Sequence, residues 1–215
     1  MTYCIRPMLK KDILQVKEID REAFPTMIPP PNFERELQNK MTHYFVVCDE
    51  SRSVKTAGNG DESKKQGLLN RIRSLFSGNS SNDAAVEREV PFVCGYVGFW
   101  VLAEEAHITT IAVKEECQRK GIGELLMMTV FDRAKKLYAS VVTLEVRVSN
   151  TNAQHLYLKY GLREEGLRKH YYTDNREDAY IMTSSDITTK ESAKQLDKLQ
   201  REHAGRWGKA RFDFS

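Results

Sequence analysis

Apolar and polar positions follow two different periods along this chain, and each change of period marks an element. Tyr3 to Pro7 reads as a first strand, and from Lys11 to Phe24 the residues Ile13, Val16, Ile19 and Phe24 fall near helical spacing. Pro25, Pro29, Pro30 and Pro31 then break the chain before a short helix at Phe33 to Leu37, and His43 to Cys48 alternates as a second strand. After Pro91 come strands at Phe92 to Leu102 and Ala106 to Val113, a long helix from Ile122 to Tyr138, and a strand from Val141 to Val148. A helix over Asn152 to Tyr160 and a closing hairpin, Leu162 to Tyr172 with Asp178 to Thr183, complete an α+β order of elements.

Two stretches break this pattern. Residues 51–91 are rich in Ser, Gly, Asn, Lys and Asp, with Phe76 their one aromatic, and bury too little apolar area to offset ordering entropy. The segment reads as a mostly disordered insertion in a hairpin connection. Within it Leu68, Leu69, Ile72, Leu75 and Phe76 sit at helical spacing around Arg71 and Arg73, which fits either a docking helix for a partner or anionic surface, or a transient helix. From 188 to 215 a basic tail follows, with Leu196 and Leu199 anchoring a helix that ends near Ala204. Trp207, Phe212 and Phe214 then either pack back on the domain or bind a partner. The expected division is one catalytic domain, 1–187, carrying that insertion, and the tail.

The strongest chemical signal joins a strand to a helix. His107-Ile108-Thr109-Thr110-Ile111-Ala112-Val113 leads into Gln118-Arg119-Lys120-Gly121-Ile122-Gly123, and a helix opens at Glu124. Glycines there let backbone N–H groups close on a phosphate, and the helix adds the positive end of its dipole. A Walker loop continues into Lys and Ser or Thr, whereas this turn continues into Glu124-Leu125-Leu126. A dinucleotide fingerprint needs a third glycine three residues after Gly123, and there is none. What remains, besides an ordinary glycine turn, is a Gln/Arg-x-x-Gly-x-Gly loop.

That loop resembles the pyrophosphate loop of the GNAT superfamily of N-acetyltransferases. Two further blocks resemble the RimI family within it, the protein N-terminal alanine acetyltransferases. One is Leu144-Glu145-Val146-Arg147-Val148-Ser149-Asn150 with Ala153, Leu156-Tyr157 and Gly161-Leu162; the other is His170-Tyr171-Tyr172 followed by Arg176-Glu177-Asp178-Ala179. The resemblance is tight from Gly95 to Asp186 and loose up to about Glu50. It implies the GNAT fold, a central mixed, largely antiparallel twisted sheet flanked by helices, and acetyl-CoA as acetyl donor. It also implies that Ile111, Ala112 and Val113 meet the pantetheine arm, that Arg119, Lys120, Gly121, Ile122, Gly123 and Glu124 wrap the pyrophosphate, and that Asn150 contacts the cofactor.

By the same resemblance Glu145 is the general base, acting through water, and Tyr157 the general acid to the sulfur of coenzyme A. On the strand Val142, Leu144 and Val146 share one face, which puts Glu145 on the other with Val141, Thr143 and Arg147. A Glu145–Arg147 surface pair and a Tyr157 packed as helix core are the plain alternatives. Tyr171 and Tyr172 are implied to face Phe24 and Pro25 across a narrow peptide slot, where strand packing is the alternative. His107 is either a second base or relay, or a satisfied strand-end histidine, and Cys117 is either reactive or a small filler. The chain departs from the family at Phe24-Pro25-Thr26-Met27-Ile28-Pro29-Pro30-Pro31, where a shorter Phe-Pro-Trp-Ser form is usual, and in its insertion.

The acceptor expected is a protein N-terminus, possible ribosomal proteins included. A protein α-amine has a reference pKa of about 7.7 to 8.0 against about 10.4 for lysine, which makes neutral lysine roughly 3.4 kcal/mol harder to obtain. Lysine side chains or small amines are the alternative acceptors, and a non-catalytic acetyl-CoA-binding docking module is the third reading. Composition adds little to this. With 33 basic and 30 acidic side chains the net charge is +3, which does not point to a nucleic-acid partner. Cys4, Cys48, Cys94 and Cys117 lack metal-ligand spacing, so no metal and no disulfide framework is expected. The chain has no apolar window of membrane-spanning length and no leader-like start, and a cytoplasmic location is expected.

Overall fold

The computed structural model describes residues 2–26, 31–57 and 87–214. The predicted helix at Leu68 to Phe76, the disorder predicted around it and residues 27–30 of the proline loop lie outside the described residues. Strand β1 (Tyr3–Pro7) leads through one 3-10 turn into α1 (Ile13–Ala23), α2 (Phe33–Glu36), β2 (Thr42–Ala57) and β3 (Glu87–Leu102). Then follow β4 (Glu105–Val113), α3 (Ile122–Lys136), β5 (Val141–Arg147), α4 (Thr151–Lys159), β6 (Leu162–Arg168), β7 (Ala179–Ser184), α5 (Lys190–Trp207) and β8 (Arg211–Phe212). The strands form one mixed sheet in the order β6-β7-β5-β4-β3-β2-β1-β8, antiparallel except for β4–β5 and β1–β8.

Strand alternation feeds two cores, one on each face. Ile5, Val47, Val97 and Phe99 point toward α3, whose Leu125, Leu126 and Met127 are buried against them, and α4 and α5 add Tyr157 and Leu199 to that side. Val46, Tyr96 and Ala112 face the opposite way, onto Val16 and Ile19 of α1 and Phe33 of α2. The α1 face also buries polar groups, each with a partner. Asp12 accepts two hydrogen bonds from Arg6 at 2.6 and 2.8 Å, and Tyr96 donates to Asp20. Removing one member of the buried Arg6–Asp12 pair leaves an uncompensated charge, a loss of about 3–5 kcal/mol.

Several boundaries differ from the pattern-based ones. β2 and β3 run past the apolar segments because Ser53–Ala57 pair with Glu87–Pro91 across a register shift after Asp49, so cross-strand pairing extends strands that hydrophobicity does not mark. β6 stops at Arg168, which leaves Tyr171 and Tyr172 in the loop before β7. The tail helix passes Gly205 and ends only at Gly208, whose φ of 86° terminates it. β8, which pairs with β1, had no sequence signal: two residues are too few for a period.

Candidate active site

Parallel strands β4 and β5 are in register from Glu105–Val141 to Ile108–Leu144, and there the pairing ends. Beyond that point they splay, while β4 keeps its antiparallel pairing with β3 up to Val113. The splay frees the backbone edge of Thr109 to Val113 on the β5 side. A cavity of about 450 Å³ opens in this gap, lined by Ile108–Ile111 of β4 and Leu144–Arg147 of β5. Phe24, Thr26, Asn150, Tyr157, Tyr171, Tyr172 and Asp174 close it. Of the residues singled out in the sequence, Phe24, Ile111, Glu145, Asn150, Tyr157, Tyr171 and Tyr172 meet there. Pro25, Ala112, Val113 and the segment Arg119 to Glu124 do not line this cavity.

Just beyond the splayed end of β4 the chain makes a single 3-10 turn, Glu115–Cys117, and enters the loop. Arg119 (φ 60°) and Gly121 (φ 78°) are both left-handed, so successive N–H groups converge as in an anion nest. Gly121 is the N-cap of α3 and has no side chain with which to cap the first-turn N–H groups, which stay available to an anion. The Lys120 ammonium donates to the Glu116 carbonyl at 2.7 Å, and the Gln118 amide donates to the Val113 carbonyl at 3.3 Å, tying the loop to its own approach. At Gly123 an added Cβ would lie 3.1 Å from Leu156 of α4, so the bare position lets α4 close on the start of α3. These donors and the missing side chains fit a pyrophosphate. Glu124 pairs with Lys159 at 2.7 Å, and Asn150 uses its side-chain oxygen to cap α4 at Ala153 N–H, 3.2 Å away.

In the splay Glu145 has a side chain only 6 % exposed, yet it carries charge. One carboxylate oxygen lies 3.0 Å from His107 Nε2 and the other 3.1 Å from Arg168. The hydrogen bond from His107 is the main cause that holds the Glu145 carboxyl below its ordinary range, against the opposing effect of burial. Because a carboxylate accepts, His107 carries its proton on Nε2. Its Nδ1 faces Glu105 at 3.7 Å, and its ring stacks on Trp100 with centroids 4.9 Å apart. The Glu145–Arg147 pair anticipated as an alternative does not form. Arg147 instead bonds Asp174 at 2.8 Å and Glu177 at 3.2 Å, with its guanidinium 3.8 Å from the Tyr172 ring centre.

Tyr157 is 5 % exposed, and burial first, then nearby Tyr172, push its phenol well above the ordinary tyrosine range, so it stays protonated. Across the cavity mouth Thr26 donates to Asp174, and this bond joins the loop after α1 to the loop before β7. Tyr171 and Tyr172 meet edge to face with centroids 5.2 Å apart. Cys117 is buried in the core beside the loop. The sequence reading missed Arg168, Asp174, Thr26 and Trp100. Parallel register explains the His107 contact, since His107 stands opposite Thr143, one same-face step from Glu145. No signal in a single sequence carries that register.

The profile of the Acetyltransferase (GNAT) family matches residues 61–162. An N-alpha-acetyltransferase of Sulfurisphaera tokodaii is 44% identical over 183 residues, which cover 85% of this chain and 92% of the relative. The chain belongs to the GNAT acetyltransferase family. The ribosomal protein bS18-alanine N-acetyltransferase of Escherichia coli K12 is 42% identical over 84 residues, 38% of this chain and 57% of that protein. Among solved structures, Arabidopsis thaliana NAA60 in complex with acetyl-CoA superposes with a TM-score of 0.64 at 17% identity, covering 87% of this chain and all of that one, 100%, and so shares the fold. As a GNAT acetyltransferase the protein transfers the acetyl group of acetyl-CoA to an amine. The splayed strands and the loop ahead of α3 are the parts of this GNAT fold that fit the donor. Among the described residues no helix is long and apolar enough to cross a membrane.

Proposed function

We propose that the protein acetylates the N-terminal α-amino group of another protein, with Glu145, held ionised by His107, taking the amine proton and Tyr157 serving the departing sulfur. The observation that carries this reading is the closed mouth. Thr26 and Asp174 bridge the two acceptor loops, and Tyr171 and Tyr172 stand above an ionised carboxylate inside. A slot of that kind suits an extended peptide end whose ammonium is drawn to Glu145. It also matches in kind what the relatives from S. tokodaii and E. coli are named for.

The free β4 edge and the 118–124 loop would hold acetyl-CoA, which would supply the thioester carbonyl that the amine attacks. Nucleophilic attack needs the neutral amine, and about half of an α-amine is neutral at pH 7.7 to 8.0. Glu145, held ionised, orients the amine and its water and takes up the proton. His107 already carries its proton on Nε2, so it keeps this carboxylate ionised and oriented, and the proton leaves Glu145 to water. Tyr157 keeps its proton until the C–S bond breaks and then donates it to the sulfur. Arg168 fixes the second oxygen of Glu145 and limits its basicity, which favours an amine that needs little help.

Acetyl transfer to short peptides that differ in their first residue tests the reading, with N-terminally blocked lysine peptides, small amines and the amino-terminal peptide of ribosomal protein bS18 in the same panel. Turnover confined to free α-amines supports it. Faster turnover of blocked lysine peptides or small amines than of any free N-terminus overturns the acceptor assignment.

A further inference from the structure

The C-terminal helix makes contacts that no part of the acceptor slot requires. Leu199 and His203 of α5 are buried against the domain, and His203 Nε2 lies 3.1 Å from the carbonyl oxygen of Gly121. A carbonyl only accepts, so Nε2 is the donor, and burial holds this imidazole below its ordinary range and therefore neutral. One turn later Trp207 closes on the same residue. A Cβ on Gly121 would stand 2.6 Å from Trp207 Cδ1 and 2.8 Å from its Nε1. The left-handed glycine of the coenzyme loop is thus gripped by the tail.

Trp207 Nε1 is also buried without a hydrogen-bond partner, the one such side-chain atom among the described residues. Buried donors are nearly always paired, and an exception calls for an account, such as a bound ion or ligand. This one flanks a loop shaped for phosphate, with the Arg206 guanidinium 4.9 Å from the indole ring. The tail is anchored at both ends of the contact. Beyond Gly208, Arg211 and Phe212 pair with Cys4 and Ile5 at the sheet edge, Arg211 bonds Glu50 at 2.6 Å, and Phe214 packs edge-on against Phe45 at 5.7 Å.

We propose that the C-terminal helix and strand complete the acetyl-CoA site. His203 is a positioning residue that, with the Trp207 ring, holds Gly121 in the turn that aims the loop's N–H groups. The indole N–H of Trp207 takes a phosphate oxygen of the bound coenzyme as its acceptor. Coenzyme binding and tail docking form one coupled equilibrium in which each strengthens the other by the same factor. The proposal concerns the donor side and stands whether the acceptor is an α-amine or not.

The test is calorimetric titration of CoA and of phosphate-free pantetheine into full-length wild type, Trp207→Phe, Trp207→Ala and His203→Ala, each checked for cooperative melting. Hydrogen exchange is followed with and without CoA. Trp207→Phe keeps a ring and loses the donor; it is expected to weaken CoA about tenfold and to raise the acetyl-CoA KM in step, with kcat falling less than about twofold and pantetheine affinity held. CoA is expected to slow exchange at 203–214 together with 118–124. CoA affinity equal to wild type in folded Trp207→Phe and Trp207→Ala proteins, exchange in the tail indifferent to CoA, or equal weakening of CoA and pantetheine would each overturn the proposal.

Discussion

The donor and acceptor halves proposed for this active site are built from different materials. On the donor side the parts are backbone: the free edge of β4, two left-handed residues and the bare first turn of α3. All of them lie within one short run of chain, from Thr109 to Glu124. On the acceptor side the parts are side chains drawn together from afar. Thr26 bonds Asp174, 148 residues away, while His107 on β4 and Arg168 on β6 converge on the carboxylate of Glu145 on β5. A backbone site tolerates exchange of most side chains but not of its glycines, whereas a network of side chains loses function one member at a time.

Replacing Glu145 separates the halves most sharply. Glu145→Gln keeps the shape and removes the charge, so kcat is expected to fall by about 10²-fold or more while CoA titrates as in wild type. A variant that retains full turnover removes the mechanism proposed above. Tyr157→Phe is the next largest, with a loss in kcat of about 10- to 100-fold that is partly recovered with an acetyl donor whose leaving group needs no proton.

Gly121→Ala attacks the donor side. A left-handed alanine costs about 1–2 kcal/mol, before the clash with His203 and Trp207 is counted. A melting temperature lower by about 2–8 °C is expected, read by calorimetry, together with a raised acetyl-CoA KM and an unchanged ranking of acceptors. Arg147→Ala does the reverse. It frees Asp174 and uncovers Tyr172, and because such partly exposed pairs contribute about 0–1 kcal/mol, a rise of only about two- to fivefold in peptide KM is expected with CoA affinity intact.

The smallest effect is one of pH. Glu145 is held below its ordinary range mainly by His107, so its contribution to stability is present above the unfolded carboxylate pKa and is lost as pH falls through the lower folded value. His107→Ala returns Glu145 toward its ordinary range. Melts across the acid range are expected to show the variant losing this contribution at higher pH than wild type, with the gap closing at the acid end. Parallel curves throughout would show that the His107 bond does not set the protonation of Glu145.

Much of this was legible from residue order alone, but unevenly. The strands and helices around Gly95 to Asp186 appear where their apolar periods put them, and Glu145 lies on the face opposite Val142, Leu144 and Val146, as alternation requires. The extension of β2 and β3 was not legible, because polar residues at Ser53 to Ala57 become strand only through their partners. The destiny of the tail was not legible either. Trp207, Phe212 and Phe214 fit a partner's surface as well as their own domain until the bare Gly121 and the free edge of β1 are seen beside them.

The sequence by itself determined the family, the acetyl donor and the local geometry of the turn ahead of α3, because a turn, its glycines and the helix that follows interact through neighbours in the chain. Only the tertiary structure decided that His107 and Arg168 share Glu145, that Thr26 and Asp174 close the mouth, and that the tail packs on Gly121. Each of these contacts depends on strand register or on the docking of distant elements. Register is fixed by how the two cores pack as wholes, and no short stretch of residues contains it.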